Sequence, residues 1–263
     1  PEIKTYTIGH ISTGEEGVKF GIPISDVIDF AKYIKYNCKN LNLVGLHFHI
    51  GSQICVIRPF VEATNKVFKI FKCLKDMKFN LRYIDVGGGL GIKYNNEQPP
   101  TPQQLFTKLK KIIPKEINII CEPGRSIVGN AGILVCKVLY HKRVKNKNFL
   151  IVNASMTDLI RPTFYGAYHN IVPALLSNSH SLITCDIVGP VCETSDFLAK
   201  NRTTFDVGND ELLVVETVGA YGFVMSSNYN SRLRAAEVMV DNNKFYLIRQ
   251  RETYEDLIRK EKM

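Results

Sequence analysis

Three short apolar segments, each ending in glycine-bearing polar residues, constrain the fold of this chain more than any other feature. They span residues 43–50, 81–86 and 117–121, and the sequences HIGSQ, GGGLG and EPGR stand at or just after their ends. Continuous apolar runs of this length suit strands that are buried on both faces of a parallel sheet. Polar residues that gather where such strands end are typical of a (β/α)8 barrel, whose active site lies at the C-terminal ends of its strands.

Apolar residues at helical spacing lie before the first of these segments and between each segment and the next. Residues 24–34 and 60–74 each carry such a stripe. A third helix is predicted from Thr101 as N-cap and Pro102 at the first helical position, followed by the stripe at 105–113. A complete barrel takes about 250 residues and eight strands. The three or four strand–helix units found here therefore predict a barrel truncated at its start, and the alternative is a smaller open sheet.

The second half of the chain predicts a different class of fold. After Gly129 the helical spacing of apolar residues gives way to strand signals. The β-rich runs are 133–140, 149–152, 182–188 and 212–218, with 237–240 and 245–248 flanking a hairpin turn at 241–243. We therefore predict two domains: an α/β unit at residues 1–130 that holds part of a barrel, and an antiparallel β-sandwich or barrel at residues 131–263.

Charge and cysteine content argue against several classes of protein. The net charge of +9 would suit an anionic partner, but the lysines are scattered and no aromatic platform accompanies the densest cluster, so we predict no nucleic-acid role. No apolar run approaches the roughly 18 residues that span a bilayer, and we predict no membrane association. The seven cysteines show neither CxxC nor zinc spacing. They predict reduced thiols in a cytosolic protein, most of them filling the core, and no metal site.

The first two strand ends each have a chemical interpretation beside a structural one. His47 and His49 fall on the same side of a strand, and such a pair is more often structural or a metal-site candidate. The following Gly51 and Ser52 favour phosphate binding instead. The glycine run 87–91 lets backbone N–H groups converge on an anion. It lacks the Gly-x-Gly-x-x-Gly spacing of dinucleotide-binding loops, and a plain turn remains the alternative.

The third strand end supplies Glu122 and Arg125, which either pair with each other or face one ligand with a basic ring nitrogen and anionic groups. In this order, the motifs HFHIGS, GGGLG and EPGR resemble the alanine-racemase-like barrel decarboxylases that use pyridoxal phosphate. The second half resembles the diaminopimelate decarboxylases within that group, through MTDLIRPTFYGAYH at 156–169, VCETSD at 191–196, GAYG at 219–222, SSNYNSR at 226–232 and RETYEDL at 251–257. The resemblance is collinear over essentially the whole chain.

The resemblance implies a fold and a cofactor. Residues 1–130 are then the C-terminal part of a (β/α)8 barrel that binds pyridoxal 5'-phosphate. His49 stacks on the pyridine ring, Ser52 and the backbone amides of Gly88 and Gly89 hold the phosphate, and Glu122 keeps the pyridine nitrogen protonated. The implied cofactor-binding set is completed by Pro123, Gly124, Arg125 and Tyr221.

The resemblance also implies a substrate, meso-diaminopimelate, and a reaction that yields L-lysine and CO2. Arg125, Arg161 and Tyr165 fix the distal amino-acid end, whose carboxylate needs bidentate donors. Glu193 binds the distal ammonium group, and Tyr221 contacts cofactor or substrate.

Cys192 is the implied general acid, which returns a proton to the decarboxylated carbon. For the other six cysteines a buried structural role is the prediction. In this family the segment around this cysteine comes from the neighbouring subunit, so the resemblance implies a homodimer with shared active sites. The expected location is the cytoplasm, or a plastid for a plant-type source.

The sequence also departs from the family pattern. The Schiff-base lysine of the family lies in a Tyr-Ala-x-Lys segment, which these 263 residues do not contain. We therefore expect a fragment without the N-terminal half of the barrel, inactive by itself. Thr194 and Ser195 replace the usual Ser-Gly, and Asn153, Leu233 and Ala235 are further departures, none of which we expect to touch a proposed contact.

Two alternatives remain at this stage. One is a related decarboxylase of basic amino acids such as arginine, ornithine or carboxynorspermidine, which Arg161 disfavours because those substrates lack a distal carboxylate. The other is a non-catalytic remnant or regulatory protein, which the retention of Cys192, Glu122 and Arg125 disfavours.

Overall fold

Residues 1, 3, 13–14, 17–176 and 181–262 are described by the computed structural model of this chain. Their contacts separate two units, Pro1–Val128 and Gly129–Met263. The sequence predicts the boundary two residues further along, between residues 130 and 131. Each unit has its own cluster of buried hydrophobic residues. None of the helices in the described ranges is long and apolar enough to cross a lipid bilayer.

The first unit alternates helices and short parallel strands. Its elements are α1 (Val27–Asn37), β1 (Gly45–His47), α2 (Arg58–Asp76), β2 (Tyr83–Asp85), α3 (Pro102–Leu109), β3 (Asn118–Ile120) and α4 (Arg125–Val128). The strands form a three-stranded sheet in the order β1-β2-β3, with both pairs parallel and Ile84 of β2 opposite Leu46 and Ile119. The predicted parallel strands are confirmed, although each is shorter than the apolar run that predicted it.

The helices follow the predicted stripes to different degrees. Along α2 the stripe residues Phe60, Ala63 and Phe71 are almost fully buried, as an amphipathic helix packed on a sheet requires. A capping box starts α3, because the Thr101 hydroxyl accepts the Gln104 N–H and the Gln104 side chain accepts the Thr101 N–H. Only Ala31 is buried on α1, so the stripe predicted there is mostly uncovered in this structure.

Hydrogen bonds continue the parallel pairing beyond the ends of the three strands. The Phe48 N–H donates to the Asp85 carbonyl at 3.0 Å, and the Glu122 N–H donates to the Gly87 carbonyl at 2.9 Å. One step further along, the Ile54 N–H donates to the Gly89 carbonyl at 2.9 Å. The polar loops after β1, β2 and β3 are therefore held side by side at one edge of the sheet, as predicted for the C-terminal ends of parallel strands.

The second unit is built mainly of strands. Its elements are β4 (Leu134–Val144), β5 (Lys147–Val152), α5 (Arg161–Tyr165), β6 (Ile171–Pro173), β7 (Leu182–Val188), β8 (Phe197–Phe205), β9 (Leu212–Val215), β10 (Glu237–Asp241), β11 (Lys244–Arg249) and α6 (Tyr254–Ile258). Six strands form one sheet in the order β6-β9-β4-β5-β7-β8, and β10 and β11 form the predicted hairpin. The strands β6 and β8 were not predicted from the sequence.

The six-stranded sheet is nearly closed. The edge strands β6 and β8 lie against each other, and the Thr204 hydroxyl donates to the Ile171 carbonyl at 3.5 Å. The first part of β4 pairs with β9 and the rest with β5, which lets this long strand turn a corner of the sheet. Four of the five pairings are antiparallel and the β5–β7 pairing is parallel. The sheet therefore resembles a barrel more than a sandwich, and one of its pairings differs from the all-antiparallel prediction.

Candidate cofactor and substrate site

In the first unit, three glycines let the strand-end loops approach without side chains between them. Gly87 and Gly89 have φ values of +67° and +96°, which L side chains rarely adopt. A Cβ atom at Gly88 would overlap the Glu122 carbonyl oxygen, and one at Gly89 would overlap the Gly51 carbonyl oxygen. The glycine loop therefore contributes only its backbone to this edge, as a cradle for an anionic group requires.

His49 lies against this glycine loop. The Gly88 N–H donates to His49 Nδ1 at 3.2 Å, so in the neutral ring the proton resides on Nε2. Burial lowers the pKa of His49, and nearby His47 lowers it further, while Glu122 and Asp85 oppose the shift. The result favours a neutral imidazole, and a neutral ring suits stacking on an aromatic cofactor.

Ser52 and Arg125, two of the predicted cofactor residues, are in direct contact. Arg125 is 7% exposed, and its Nε and one terminal nitrogen donate to the Ser52 hydroxyl at 3.3 and 3.1 Å. Its other terminal nitrogen donates to the Tyr94 hydroxyl at 2.6 Å, and the guanidinium lies 5.7 Å from the centre of the Tyr94 ring. Tyr94, which is not among the site residues predicted from the sequence, thus helps to orient a buried cation.

Glu122 follows β3 and points toward a histidine of β1. One of its carboxylate oxygens lies 3.5 Å from His47 Nε2, with both side chains about half exposed. With Asp85 they bring three potential ligand atoms within 4.8 Å of one another. These residue types also bind divalent cations, so a metal ion and a pyridine nitrogen would compete for the Glu122 carboxylate. Pro123 and Gly124 are exposed and lead into α4.

In the second unit, α5 carries two predicted substrate residues. Arg161 begins the helix and is 6% exposed. Its NH1 group lies 2.6 Å from Nε2 of His169, which ends the motif at 156–169 and is not among the predicted site residues. Tyr165 is half-buried four residues later, and residues at this spacing share one face of a helix. The helix ends at Gly166, whose left-handed φ of +62° turns the chain back.

The loop that carries Cys192 is fastened to the segment around α5. The Asp196 carboxylate accepts the N–H groups of Met156 and Val191, both at 2.7 Å. The Thr163 hydroxyl on α5 donates to the Ser195 carbonyl at 2.6 Å. The loop therefore has a defined position relative to Arg161, although Cys192 itself is exposed.

Glu193 is exposed and accepts hydrogen bonds from two hydroxyl groups. The Ser195 hydroxyl donates to its carboxylate, and with the Tyr229 hydroxyl it lowers the pKa of Glu193. The same contact raises the pKa of Tyr229, so an ionised carboxylate faces a protonated phenol. The expectation that Ser195 touches no proposed contact is wrong, because its hydroxyl donates to the carboxylate of Glu193, two residues earlier in the chain. Tyr229 was also missed, although it lies within a recognised motif.

Tyr221 occupies an unusual backbone conformation. Its φ is +60°, which costs a non-glycine residue free energy and is often found at functional sites. Its side chain is 39% exposed. The neighbouring Gly222 leaves no room for a Cβ atom, which would overlap the Val218 carbonyl oxygen. A predicted ligand-binding tyrosine thus belongs to a tightly constrained turn.

The cysteines only partly follow their predicted roles. None of the seven is in a disulfide, and Cys136 and Cys185 are buried. Burial raises the pKa of Cys136 to about 12 and that of Cys185 to about 11, as expected of thiols that fill a core. Cys121 is exposed, so the prediction of a buried structural role is wrong for it.

Residues 1–129 match the family model described as pyridoxal-dependent decarboxylase, pyridoxal binding domain. The chain belongs to the pyridoxal-dependent decarboxylases. Within them it is 47% identical to the diaminopimelate decarboxylase of Aquifex aeolicus and 44% identical to that of Vibrio cholerae, over 98% of this chain and 61% of each relative.

The chain is also similar to a solved structure of a diaminopimelate decarboxylase. The diaminopimelate decarboxylase from Helicobacter pylori complexed with L-lysine superposes with a TM-score of 0.92 at 40% identity, covering 98% of this chain and 64% of that one. The chain thus spans about three fifths of the length of the curated relatives that it matches.

Proposed function

We propose that the protein is a diaminopimelate decarboxylase, which converts meso-2,6-diaminopimelate to L-lysine and CO2. The observation that carries this proposal is the collinear similarity of 98% of the chain to relatives of that name, at 47% and 44% identity. We further propose that residues 1–130 belong to a pyridoxal-phosphate-binding barrel, and that residues 131–263 form the C-terminal β domain.

The residues of the first unit fit pyridoxal phosphate. The glycine cradle admits no side chain at Gly88 or Gly89, so the backbone can approach the phosphate closely together with Ser52. The Gly88 N–H, which donates to His49 Nδ1 in this structure, would turn to the phosphate when the cofactor binds. His49 would lie against the ring, and Glu122 would hold a proton on the pyridine nitrogen by raising its pKa. When bound, the cofactor supplies the electron sink for the carbanion that CO2 leaves behind. Pro123 and Gly124 complete the proposed set in the first unit, and Tyr221 is a further proposed cofactor residue.

The proposed substrate contacts use charge and geometry. Arg161 and Tyr165 would bind the distal carboxylate, because a guanidinium offers several N–H donors in one plane. Arg125 is a further donor proposed for the same group. Glu193, whose pKa is lowered by the Ser195 and Tyr229 hydroxyls, would stay ionised and bind the distal ammonium.

Cys192 would donate the proton that replaces CO2 on the reacting carbon, and the resulting thiolate would regain a proton from solvent. The exposed position of Cys192 on a fastened loop supports a thiol presented to a ligand. We propose that this loop serves the active site of a second copy, in a homodimer with shared sites.

The test of this function is a substrate comparison with the full-length protein. Purified protein with pyridoxal phosphate is expected to release CO2 from meso-diaminopimelate and to form equimolar L-lysine. Arginine and ornithine, which lack the distal carboxylate, are expected to react at least 100-fold more slowly in kcat/KM, because about 3 kcal/mol of binding is lost with that group. Equal rates with ornithine would transfer the proposal to another decarboxylase, and no CO2 from any of them would refute it.

A further inference from the structure

A buried histidine contacts the arginine that we propose to bind the distal carboxylate. His169 is fully buried and Arg161 is 6% exposed, and Arg161 NH1 lies 2.6 Å from His169 Nε2. On its other side, His169 Nδ1 lies 2.8 Å from the Glu216 carbonyl oxygen. Both ring nitrogens are therefore engaged inside the second unit.

The chemistry of these partners fixes the state of the imidazole. A guanidinium only donates hydrogen bonds, so His169 Nε2 must accept. A carbonyl oxygen only accepts, so Nδ1 must carry the proton. Both contacts are satisfied at once only by a neutral imidazole that is protonated on Nδ1.

The backbone around His169 is held by further contacts. Arg202 NH1 donates to the His169 carbonyl at 2.8 Å, and the Arg202 guanidinium lies 3.9 Å from the centre of the Tyr168 ring. The Glu216 N–H donates to the Asn170 carbonyl at 2.9 Å, and the Asn170 side chain donates to the Glu216 carboxylate at 2.9 Å. The imidazole therefore has little freedom to leave the guanidinium.

A neutral hydrogen-bond acceptor and a carboxylate differ in how they affect the charge and the N–H groups of an arginine. A carboxylate partner would neutralise the guanidinium and could occupy two of its N–H groups. The imidazole accepts from one N–H and, being neutral, adds no negative charge of its own beside the guanidinium. Such a partner fixes the orientation of the guanidinium plane while preserving its attraction for an incoming carboxylate.

We propose that His169 is a positioning residue for Arg161. It holds the guanidinium in the orientation in which Arg161 binds the distal carboxylate of the substrate. This inference rests on the proposed function of Arg161, and it assigns His169 a task that a purely structural core histidine would not have.

The first test separates binding of the distal carboxylate from general damage. In the full-length protein, His169→Leu is expected to raise KM for meso-diaminopimelate about 10-fold, equivalent to about 1.4 kcal/mol of lost binding. Binding of 1,5-diaminopentane, which lacks the distal carboxylate that L-lysine retains, is expected to change less than 2-fold. His169→Gln, which keeps an acceptor atom, should restore part of the loss. His141→Leu is the matched control, because His141 also contacts a backbone carbonyl in the same unit, and its KM should not change. Equal losses for both ligands would overturn the proposal.

A double-mutant cycle tests whether His169 acts through Arg161. In an Arg161→Ala background, His169→Leu is expected to add no further increase in KM. Fully additive increases would show that the two side chains act independently and would contradict the positioning role.

A third measurement does not depend on the proposed function. Nitrogen NMR of the ¹⁵N-histidine-labelled protein, assigned with His169→Gln, is expected to show a neutral ring protonated on Nδ1. The Nε2-protonated tautomer would overturn the contact itself. If the wild-type ring is protonated on Nδ1 but the protein neither binds nor decarboxylates meso-diaminopimelate, the contact between His169 and Arg161 stands. The proposed function and the positioning role then both fail.

Discussion

At Gly88 the backbone itself is the functional group, because any side chain there would collide with the loop after β3. Gly88→Ala places a methyl group on the Glu122 carbonyl oxygen and strains the N–H that bonds His49. We expect the free energy of unfolding to fall by roughly 1–3 kcal/mol, the range for strain of this kind. Urea denaturation measures the loss.

Gly124→Ala is the matched control for that experiment. A Cβ atom at Gly124 meets nothing within 4 Å, and its φ is not in the left-handed region. Its free energy of unfolding is therefore expected to change by less than about 0.5 kcal/mol. Equal stability of the two variants would contradict the close approach of the glycine and Glu122 loops.

His49 makes the stability of the first unit depend on pH. Burial lowers its pKa from 6.5 in the folded state, so the unfolded chain binds this proton more readily than the folded one. Its contribution to stability is complete above pH 6.5, and it is lost as the pH falls below 6.5 toward the folded-state pKa. Thermal unfolding of wild type and His49→Gln across this window measures the effect. The wild-type Tm should decline more steeply with acid, and parallel curves would contradict the shifted pKa.

Residues brought in by tertiary contact were the hardest to predict at this scale. The roles of Tyr94 and Tyr229 can be recognised only in the folded structure, where they contact Arg125 and Glu193. Ser195 was dismissed because it departs from the family motif, although a hydroxyl two residues from a carboxylate can bond it locally. His169 was quoted within a motif, yet its link to Arg161 depends on the turn at Gly166.

Among the secondary-structure elements, α5 anchors the loop that carries Cys192. Thr163→Val removes the hydroxyl that donates to the Ser195 carbonyl at 2.6 Å, while it keeps the shape and the β-branch of the side chain. We expect faster amide hydrogen exchange across residues 191–196, because local opening costs less free energy without this bond. A decrease of about 1 kcal/mol in opening free energy is expected for one hydrogen bond.

Thr163→Ser is the control for the α5 contact, since it keeps a hydroxyl and should preserve the exchange rates. Both variants should also be compared at β10 and β11, where neither is expected to alter exchange. Unchanged protection of residues 191–196 in Thr163→Val would show that the Asp196 contacts alone hold the loop.

The elements themselves were predicted best where apolar residues are continuous. β1, β2, β3 and β7 follow such runs, and α2 follows a clear stripe. β8 was missed because its centre, Lys200-Asn201-Arg202, has the composition of a turn. Asn201 has a φ of +46°, and its N–H is satisfied by the Asp186 carboxylate at 2.8 Å, so a tertiary contact keeps an irregular strand in the sheet.

At the scale of the whole molecule, the proposed functional residues divide between the two units. The first unit holds most of the proposed cofactor set and Arg125, whereas the second holds the proposed proton donor and the other residues proposed for the distal end of the substrate. The order of motifs along the sequence predicts this division, because each motif falls in the half whose pattern of elements it accompanies. The near closure of the six-stranded sheet could not be predicted from the sequence, since it depends on which strands become neighbours.

The most direct test of the central claim is the rate of decarboxylation by the full-length protein carrying Cys192→Ala. We predict normal pyridoxal phosphate binding and a fall in kcat for meso-diaminopimelate of about 100-fold or more, the usual contribution of a general acid. Cys38→Ala, which alters a half-buried thiol at the end of α1, should keep the wild-type rate. Wild-type turnover by Cys192→Ala would contradict the claim that this loop supplies the proton.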